Sequence, residues 1–386
     1  MSVAIQFDPI RLPAEAEALR VEVRTFLKEE LAAGTFEPHA SRRPNPEFSR
    51  KVGEKGWIGL TWPKEYGGQE RSFLERYVIN EEFLFARAPT RKHFTADRQS
   101  GPVLLKYASE DLKQKWLPKM VTGEIIGAIA MTDPSGGSDL ANLKTKAVRD
   151  GDDYVISGQK VFITNGQTAD IVIVACRTSD ERAKGVSLIL VEADRAGFKK
   201  GRNLEKIGWK AQDTSELFFD EVRVPVSNIV GIEGNGFVQL MEQLPQERLL
   251  QGIRCASVIE AGLEWTVDYV RDRQAFGKTV ASFQNTRFKL AEVHSKSTMM
   301  RVFVDRCIAM HLEGKLDAND AAMCKMLSSE LMMELLDECL QLFGGYGYMW
   351  EYPIARAWAD GRQSRLAGGT GEIMREIIGR ELVGRG

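Results

Sequence analysis

The apolar positions in the first third of the chain follow a helical period. Between residues 13 and 32, apolar side chains fall near helical spacing, with Glu, Arg and Lys between them. The same texture returns at about 72–86 and 110–122, and a proline and two glycines interrupt it at 62–69. The pattern therefore predicts several helices separated by turns in this part of the chain.

The period of the apolar pattern changes near Gly123. Five short stretches rich in Ile, Val and Phe follow, and clusters of Gly, Asp and Asn separate them. They are Glu124–Met131, Tyr154–Ile163, Asp170–Arg177, Gly185–Glu192 and Ser215–Val224. Short strands at this spacing predict an antiparallel β domain, a barrel or a sandwich. The missing strand–helix alternation disfavours a doubly wound parallel sheet.

Helical texture returns after Gly234-Asn235-Gly236. Long apolar stripes cover 236–271, 281–313, 318–343 and 371–383. Helices of this length suit a bundle of long antiparallel helices. The predicted fold class is therefore α+β, with an N-terminal helical domain at 1–123, a middle β domain at 124–233 and a C-terminal helical bundle domain at 234–386.

Composition narrows the class of protein. The 386 residues suffice for two or three domains, and 43% hydrophobic with 27% charged residues is ordinary for a globular protein. The 52 Lys and Arg against 54 Asp and Glu give a net charge of −2, which argues against a nucleic-acid partner. The N-terminus has neither a signal-peptide core nor a transit-peptide composition, and no apolar run reaches about 18 residues. We therefore expect no membrane span and a cytoplasmic location.

The cysteines and histidines argue against two further classes. Five widely spaced cysteines without a C-x-x-C pair predict no disulfide framework and favour a reducing compartment. Four scattered histidines show no metal-binding spacing, so no metal site is expected.

Two segments of the β domain carry groups that suit a flat or phosphorylated ligand. The loop MTDPSGGSD at 131–139 combines hydroxyls with two glycines, so its backbone can approach a ligand closely. In VFITNG at 161–166, Phe162 and Thr164 share one face of a strand and could stack on and hydrogen-bond a planar ring. On spacing alone, a plain glycine-rich turn and a core phenylalanine are the simpler interpretations.

The segment LPQERLL at 244–250 places a carboxylate in an unusual position. Pro245 interrupts a helical pattern, and Glu247 and Arg248 follow it between leucines. A carboxylate among apolar residues tends to have a raised pKa, as a general base that works near neutral pH requires. An exposed Glu–Arg pair on a solvated face is the alternative.

Three glycine-containing segments near the C-terminus can also meet a ligand. RDRQAFGKTVASFQ at 271–284 brings a cation, a ring and an amide around Gly277, which suits a pyrophosphate or an adenine. QLFGGYGYMWEYP at 341–353 ends a helix with two glycines, and AGGTGEIMREIIGR at 367–380 begins one with Thr370 as its N-cap. Ordinary helix caps are the alternative interpretation of the last two.

The order and spacing of these segments resemble the acyl-CoA dehydrogenase family over essentially the whole chain. The landmarks are WPKEYGG at 62–68, AMTDPSGGSD at 130–139, FITNG at 162–166, RQAFGK at 273–278, QLFGGYGY at 341–348 and GGTGEIMREIIGR at 368–380. The resemblance implies the acyl-CoA dehydrogenase fold, with a C-terminal four-helix bundle, usually in a homotetramer. It also implies noncovalently bound FAD, an acyl-CoA substrate and an electron-transferring flavoprotein as electron acceptor.

The resemblance implies roles for individual residues. Positions that hold FAD match Met131, Thr132, Ser138, Phe162, Thr164, Arg273, Phe276, Gln284, Gln341, Gly344, Gly345, Thr370 and Glu372. Positions that bind the substrate match Ser138, Arg248, Gly368 and Arg380. The adenosine half of FAD would lie partly across a subunit interface, and Arg380 near the coenzyme A adenine.

The chain departs from the common family pattern at the catalytic base. Most members carry the base in a Glu-Gly-Thr string, and the matching position here is Gly368, which has no side chain. A minority, which includes the long-chain and isovaleryl types, place it on the helix that contains PQER here, where Glu247 stands. The resemblance is closest to this type and implies that Glu247 abstracts the α-proton of the thioester. Hydride would leave Cβ for the flavin, and the product would be the trans-2-enoyl-CoA.

Glycine at position 368 also opens space beside the reacting carbons, so we expect a long, branched or bulky acyl chain. Two alternatives stay open within the fold, an acyl-CoA oxidase and a flavin monooxygenase, in which reduced flavin meets oxygen. A non-catalytic flavoprotein that acts as a binding module is a third.

Overall fold

The computed structural model describes residues 12–36, 45–90, 93 and 95–384. The first eleven residues, for which the sequence predicts no leader, lie outside the described residues. The described chain runs through helices, then a sheet, then helices again, in the order that the apolar pattern predicts. Among the helices described, none combines the length and apolar character needed to cross a membrane.

The described N-terminal part consists of helices and turns. Its α-helices are α1 (Ala14–Ala32), α2 (Pro46–Glu54), α3 (Phe73–Phe85), α4 (Gly101–Tyr107) and α5 (Glu110–Val121). A capping box starts α3, because Ser72 Oγ accepts from the Glu75 N–H at 3.2 Å and Glu75 Oε2 accepts from the Ser72 N–H at 2.9 Å. A π-helical turn (Ala96–Ser100) runs directly into α4. Such turns are rare in proteins, and many of them lie at functional sites. This one is therefore a candidate functional element.

Seven strands form one sheet in the middle part. They are β1 (Gly127–Ala130), β2 (Lys146–Asp150), β3 (Asp153–Thr164), β4 (Ile171–Arg177), β5 (Val186–Glu192), β6 (Phe198–Asn203) and β7 (Thr214–Pro225). Their order is β1-β4-β2-β3-β7-β6, and β5 pairs with β4. The inward residues of β3, β4 and β7, such as Ile156, Val172 and Leu217, supply an apolar core.

The sheet is mixed, which corrects the expectation of an antiparallel sheet. β1 runs parallel to β4, with Gly127 opposite Ile171, whereas most other strand pairs are antiparallel. The route of the chain explains this direction. Between β1 and β4 in the sequence, the chain forms the β2–β3 hairpin, and the end of β3 returns the chain to the end of the sheet at which β1 starts. The Asp170 carboxylate accepts from the Ile126 N–H at 2.7 Å and ties the two starts together.

The C-terminal part is built around α6 (Gly236–Asp272). The helices after it are α7 (Gln284–Leu312), α8 (Ala318–Leu342), α9 (Pro353–Gly361) and α10 (Gly371–Val383). Residues such as Ile253, Cys255 and Ile259 are buried because α3, α7, α8 and α9 all contact α6. At 1.5 Å per residue, the 37 residues of α6 form a rod of about 55 Å. Pro245 lies inside this helix without ending it.

Candidate active site

Glu247 lies on α6 with its carboxylate buried against the N-terminal part, and the residue is only 9% exposed. The Arg98 Nε–H contacts both carboxylate oxygens, at 2.8 Å and 2.7 Å, and Gln99 Nε2 donates to Oε2 at 2.9 Å. The prediction that this carboxylate lies among apolar residues is wrong. Leu249 and Leu250 belong to the helical core, and the polar side chains of Arg98 and Gln99 contact Glu247. The alternative of a solvated Glu–Arg pair is wrong as well, since Glu247 and Arg248 are both buried.

The π-helical turn beside Glu247 is fixed to the β domain. Thr95 precedes the turn and donates from Oγ1 to the Gly127 carbonyl at 2.6 Å. Asn165 Nδ2 in turn donates to Thr95 Oγ1 at 2.8 Å. Because Gly127 begins β1 and Asn165 directly follows β3, the turn connects the end of β3 with Glu247.

A buried ion pair fixes the glycine-rich loop after β1. Lys160 on β3 is 0% exposed, and its Nζ donates to Asp133 Oδ1 at 2.6 Å and to the Met131 carbonyl at 2.9 Å. Asp133 Oδ2 also accepts from the backbone N–H groups of Lys144 and Thr145. Burial raises the pKa of Asp133, but the Lys160 ammonium and these donors outweigh it and hold that pKa below its ordinary value.

Sequence reasoning missed Lys160, although a signal was present. Tyr154, Ile156 and Lys160 occupy alternate positions of β3 that are buried in the structure. A lysine therefore stands where the strand period predicts an apolar residue. A buried ammonium requires a partner, so this position predicts an acidic neighbour.

Phe162 presents its ring to solvent from a strained backbone. A bulge between Lys160 and Ile163 accompanies a φ of +60° at Phe162, and the residue is 66% exposed. Left-handed backbone at a bulky residue is costly and is concentrated at ligand sites. The Val161 N–H donates to the Thr132 carbonyl at 2.9 Å, so the strand and the glycine-rich loop lie side by side. The interpretation of Phe162 as a core residue is therefore wrong, and its contact with a ligand stays a prediction.

The structure thus brings four predicted flavin contacts together. Met131 and Thr132 lie beside Phe162, and Thr164 is half-buried on the same side of β3. Ser138 lies farther along the loop and is exposed. An exposed ring beside a loop of small side chains fits a planar cofactor such as the isoalloxazine of FAD.

The turn before α10 lies against α6 close to Glu247. Arg248 Nε donates to the Gly368 carbonyl at 3.4 Å. Gly368 has a φ of +70°, and a Cβ built on it would meet nothing within 4 Å. Thr370 caps α10 as the sequence predicts, by accepting from the Ile373 N–H at 3.4 Å. Since Arg248 directly follows Glu247 in α6, the turn at Gly368 contacts the helix at the residue next to Glu247.

Lys325 on α8 is a second residue that sequence reasoning missed. It is fully buried, and its Nζ donates to the Gly369 carbonyl at 2.5 Å. Burial lowers the pKa of Lys325 to about 8. The signal was its place in a buried helical stripe with Ala321, Ser328 and Met332, at a spacing of three or four residues.

The lowered pKa of Lys325 predicts a pH-dependent difference in stability. Between about pH 8 and its ordinary value of 10.5, the unfolded chain binds this proton more tightly than the folded chain. We therefore expect the thermal midpoint of the wild type, relative to Lys325→Met, to rise as the pH increases from 8 to 10. Midpoints of both proteins at pH 7, 8, 9 and 10 test this, and a difference that stays constant would contradict it.

A second group of predicted FAD contacts lies at the far end of α6. The hairpin of β8 (Gln274–Ala275) and β9 (Lys278–Thr279) turns at Phe276, which is 95% exposed. The Arg273 guanidinium lies 5.6 Å from the centre of the Tyr346 ring, in the turn that follows α8. The remaining predicted residues of this end are Gln284, Gln341, Gly344 and Gly345, at the start of α7 and the end of α8.

The second group of predicted FAD contacts lies far from Glu247. Glu247 and Arg273 are 26 residues apart on a continuous helix and at its end, which corresponds to about 39 Å. The structure therefore does not bring the predicted adenosine contacts to the predicted base of the same chain.

Two predicted residues of α10 also lie apart from Glu247. Glu372 is exposed in the first turn of the helix. Arg380 is exposed in the last turn and pairs with Glu376 of its own helix. Neither residue meets Glu247 or the glycine-rich loop in the described chain.

Sequence reasoning did not identify a cavity of about 70 Å³ that lies along α6. Arg254, Val258 and Ala261 line it, and they share a helix face with Glu247 because the spacing from Glu247 to Arg254 is seven residues. Trp209 from the β domain closes another side. The cavity is mainly apolar and begins about two helical turns from the carboxylate.

Three family models cover almost the whole chain. They describe the N-terminal, middle and C-terminal domains of acyl-CoA dehydrogenases and match residues 13–124, 128–222 and 234–383. The chain therefore belongs to the acyl-CoA dehydrogenase family. The family resemblance, the predicted fold class and the prediction of an enzyme are confirmed, and membership makes the protein an oxidoreductase of the flavoprotein class.

The chain is similar to several individual proteins and solved structures. The mitochondrial long-chain specific acyl-CoA dehydrogenase of Sus scrofa is 42% identical over 373 residues, which cover 96% of this chain and 87% of that protein. An acyl-CoA dehydrogenase structure from Geobacillus kaustophilus superposes with a TM-score of 0.92 at 42% identity, covering 97% of this chain and 100% of that one. A glutaryl-CoA dehydrogenase from Mycobacterium smegmatis in complex with FADH2 gives a TM-score of 0.89 at 26% identity, with 97% and 96% covered.

Proposed function

We propose that this protein oxidises an acyl-CoA thioester between Cα and Cβ and releases the trans-2-enoyl-CoA, with FAD as its cofactor. One observation carries the proposal: Glu247 is a buried carboxylate on α6, and the next residue, Arg248, contacts the open turn at Gly368, in a chain of this family. The carboxylate supplies a base, and the turn supplies room for a thioester.

The exposed Phe162 ring and the loop at Met131 and Thr132 support FAD at this site. Phe162 would stack on the isoalloxazine, and Thr132 and Thr164 would offer hydroxyls to its edge. Bound FAD would accept the hydride that leaves Cβ. The related structure that holds FADH2 supports the same cofactor.

Glu247 would take the α-proton of the thioester. This proton is weakly acidic, so its removal requires that the negative charge which develops on the thioester oxygen be stabilised. The backbone N–H of Gly368 would donate to this oxygen, and glycine retains that group. The contact of Arg248 with the Gly368 carbonyl supports the orientation of the turn. Burial of Glu247 keeps bulk water away from the reacting atoms.

The acyl chain would be long, branched or bulky. The free space at Gly368 supports room beside Cα and Cβ. The cavity along α6, with Trp209 and Val258 in its wall, supports room for a small part of the acyl chain. Similarity to a long-chain specific dehydrogenase supports the same class.

The active form would be a homotetramer in which neighbouring chains share each FAD. The distance of about 39 Å between Glu247 and Arg273 supports this arrangement, because the Arg273 end of α6 is then available to the FAD of a neighbouring chain. The exposed ring of Phe276 supports it too, since burial against a neighbour would remove it from water. Electrons would leave through an electron-transferring flavoprotein. The protein would work in a reducing compartment such as the cytoplasm, which the five free, buried cysteines support.

An anaerobic titration of the FAD-loaded protein with acyl-CoAs tests the proposal. We expect the flavin absorbance to bleach. In separate turnover assays with an electron-accepting dye, kcat/KM should be higher for long, 2-methyl or cyclic acyl groups than for short straight ones. When the same assay is run in air, dye reduction should exceed oxygen consumption, whereas the reverse would favour an oxidase or monooxygenase. Absence of bleaching with every acyl-CoA would favour a non-catalytic flavoprotein. Sedimentation of the same sample tests the assembly, and a monomer that retains FAD would contradict it.

A further inference from the structure

The contact between Arg98 and Glu247 joins two distant parts of the chain. The residues are 149 positions apart, and both are buried, at 7% and 9% exposed. The Arg98 Nε lies 2.8 Å from Oε1 and 2.7 Å from Oε2, and Gln99 Nε2 lies 2.9 Å from Oε2. Donors this close to both oxygens fix the plane of the carboxylate as well as its position.

We infer that Arg98 and Gln99 are positioning residues for the base: they hold the plane of the Glu247 carboxylate and leave Oε1 as the oxygen that receives the α-proton. This inference rests on the proposed function and specifies the atom and the orientation that the function requires.

The hydrogen-bond capacity of the two oxygens separates their roles. Each carboxylate oxygen can accept about two hydrogen bonds. Among the described residues, Oε2 accepts from both Arg98 and Gln99, whereas Oε1 shares only the Arg98 N–H. Oε1 therefore keeps a lone pair for a proton, and Oε2 serves as the anchor.

The support of the two donors is rigid. Arg98 and Gln99 belong to the π-helical turn, which Thr95 ties to β1. Asp97 in the same turn accepts from Arg76 Nε at 2.9 Å, and its other oxygen accepts from the Gly59 N–H at 3.0 Å. The donors are thus held by the scaffold before any substrate binds.

The charges around Glu247 come from several elements. Arg98 faces it from the π-helical turn, and Arg76 on α3 feels its charge but is paired with Asp97. Arg248, the next residue of α6, contacts the Gly368 carbonyl instead. Arg98 is therefore the described cation in direct contact with the carboxylate.

Removal of these donors has a predictable effect on the rate. A carboxylate that no donor holds can turn about its side-chain bonds, so Oε1 faces Cα in only a fraction of the molecules. Without Arg98, the loss should therefore appear in the rate of proton removal.

The test uses Arg98→Met and Arg98→Lys in the FAD-loaded protein. We expect kcat for flavin reduction to fall by about 10²-fold in Arg98→Met, and by less in Arg98→Lys, which keeps a donor. KM should change far less than kcat, because Arg98 acts through Glu247 and the loss falls on the geometry of proton removal. Arg301→Met is the matched control, since Arg301 makes a similar pair with Glu260 on α6 at 2.7 Å and 2.8 Å, away from Glu247. Its thermal midpoint should fall while kcat per bound FAD stays unchanged.

Two outcomes distinguish this inference from the proposed function. If Glu247→Gln abolishes reduction but Arg98→Met retains the wild-type kcat, the positioning role is wrong and the base remains. If Glu247→Gln retains full reduction, the proposed base itself is wrong. An equal fall of kcat in Arg301→Met would also overturn the positioning role, because the effect would then be a general loss of stability.

Discussion

The Glu247→Gln variant reduces its flavin about 10²–10⁴-fold more slowly than the wild type when acyl-CoA is added, because a positioned general base contributes a factor of this size. Glutamine keeps the shape of the side chain but has no carboxylate to receive the α-proton. Exchange of the α-proton with solvent should fall by a similar factor. Stopped-flow absorbance and isotope exchange into the substrate measure the two effects separately.

The same substitution also removes the ionic partner of Arg98. A buried charge without its partner is strongly destabilising, so the thermal midpoint of Glu247→Gln should fall. Rates are therefore compared per bound FAD. Glu247→Asp retains the charge on a shorter side chain, so it should lose rate with a smaller loss of stability.

A control on the same helix separates loss of the base from loss of a charge. Glu242 pairs with Lys106 at 2.6 Å near the surface, and Glu242→Gln should leave flavin reduction unchanged. If Glu247→Gln reduced flavin as fast as this control, the base would have to lie elsewhere. Asp133 is a poor substitute because Lys160 and two backbone N–H groups already occupy it.

Local pattern was sufficient for most of the fold. The long stripes of the C-terminal part became α6, α7, α8 and α10, because each buries one continuous face or more. Two strands of the seven-stranded sheet were missed, β2 (Lys146–Asp150) and β6 (Phe198–Asn203). Each carries three charged residues, and β2 has one buried residue and β6 none, so neither has the apolar alternation by which strands are recognised.

The candidate site was only partly accessible to the same reasoning. Glu247, Phe162 and Gly368 stand in short motifs, so their chemistry is visible in the sequence. Arg98 is different, because its partner lies 149 positions away and nothing in its own segment indicates that contact. Predicting it requires the packing of α6 against the π-helical turn, and pairings over such distances depend on the whole fold.

Lys160 shows how a local irregularity can indicate a distant contact. Its buried strand position required an acid, yet the sequence alone could not say which of the 54 acidic residues it was. The structure identifies Asp133, 27 positions earlier, in the loop that is expected to meet the cofactor. The pair therefore connects the stability of the β domain with the shape of the proposed flavin site.

We expect Lys160→Met to lower the free energy of unfolding by about 3–5 kcal/mol, because Asp133 then becomes a buried charge without its partner. The loop that contains Met131 and Thr132 loses the same anchor, so the variant should also retain less FAD. Thermal unfolding and the ratio of flavin to protein absorbance measure the two effects. Lys199→Met is the matched control, since Lys199 makes an exposed pair with Asp220 on the same sheet and should change stability little.

The pH dependence of this difference tests its ionic origin. Because the folded-state pKa of Asp133 lies below its ordinary value, the pair contributes fully above about pH 4 and is lost as the pH falls through the folded-state pKa. The stability difference between wild type and Lys160→Met should therefore shrink in acid. A difference that is the same at pH 7 and pH 3 would mean that Lys160 acts through its packing, and the loop would then owe its shape to the backbone contacts of Asp133 with Lys144 and Thr145.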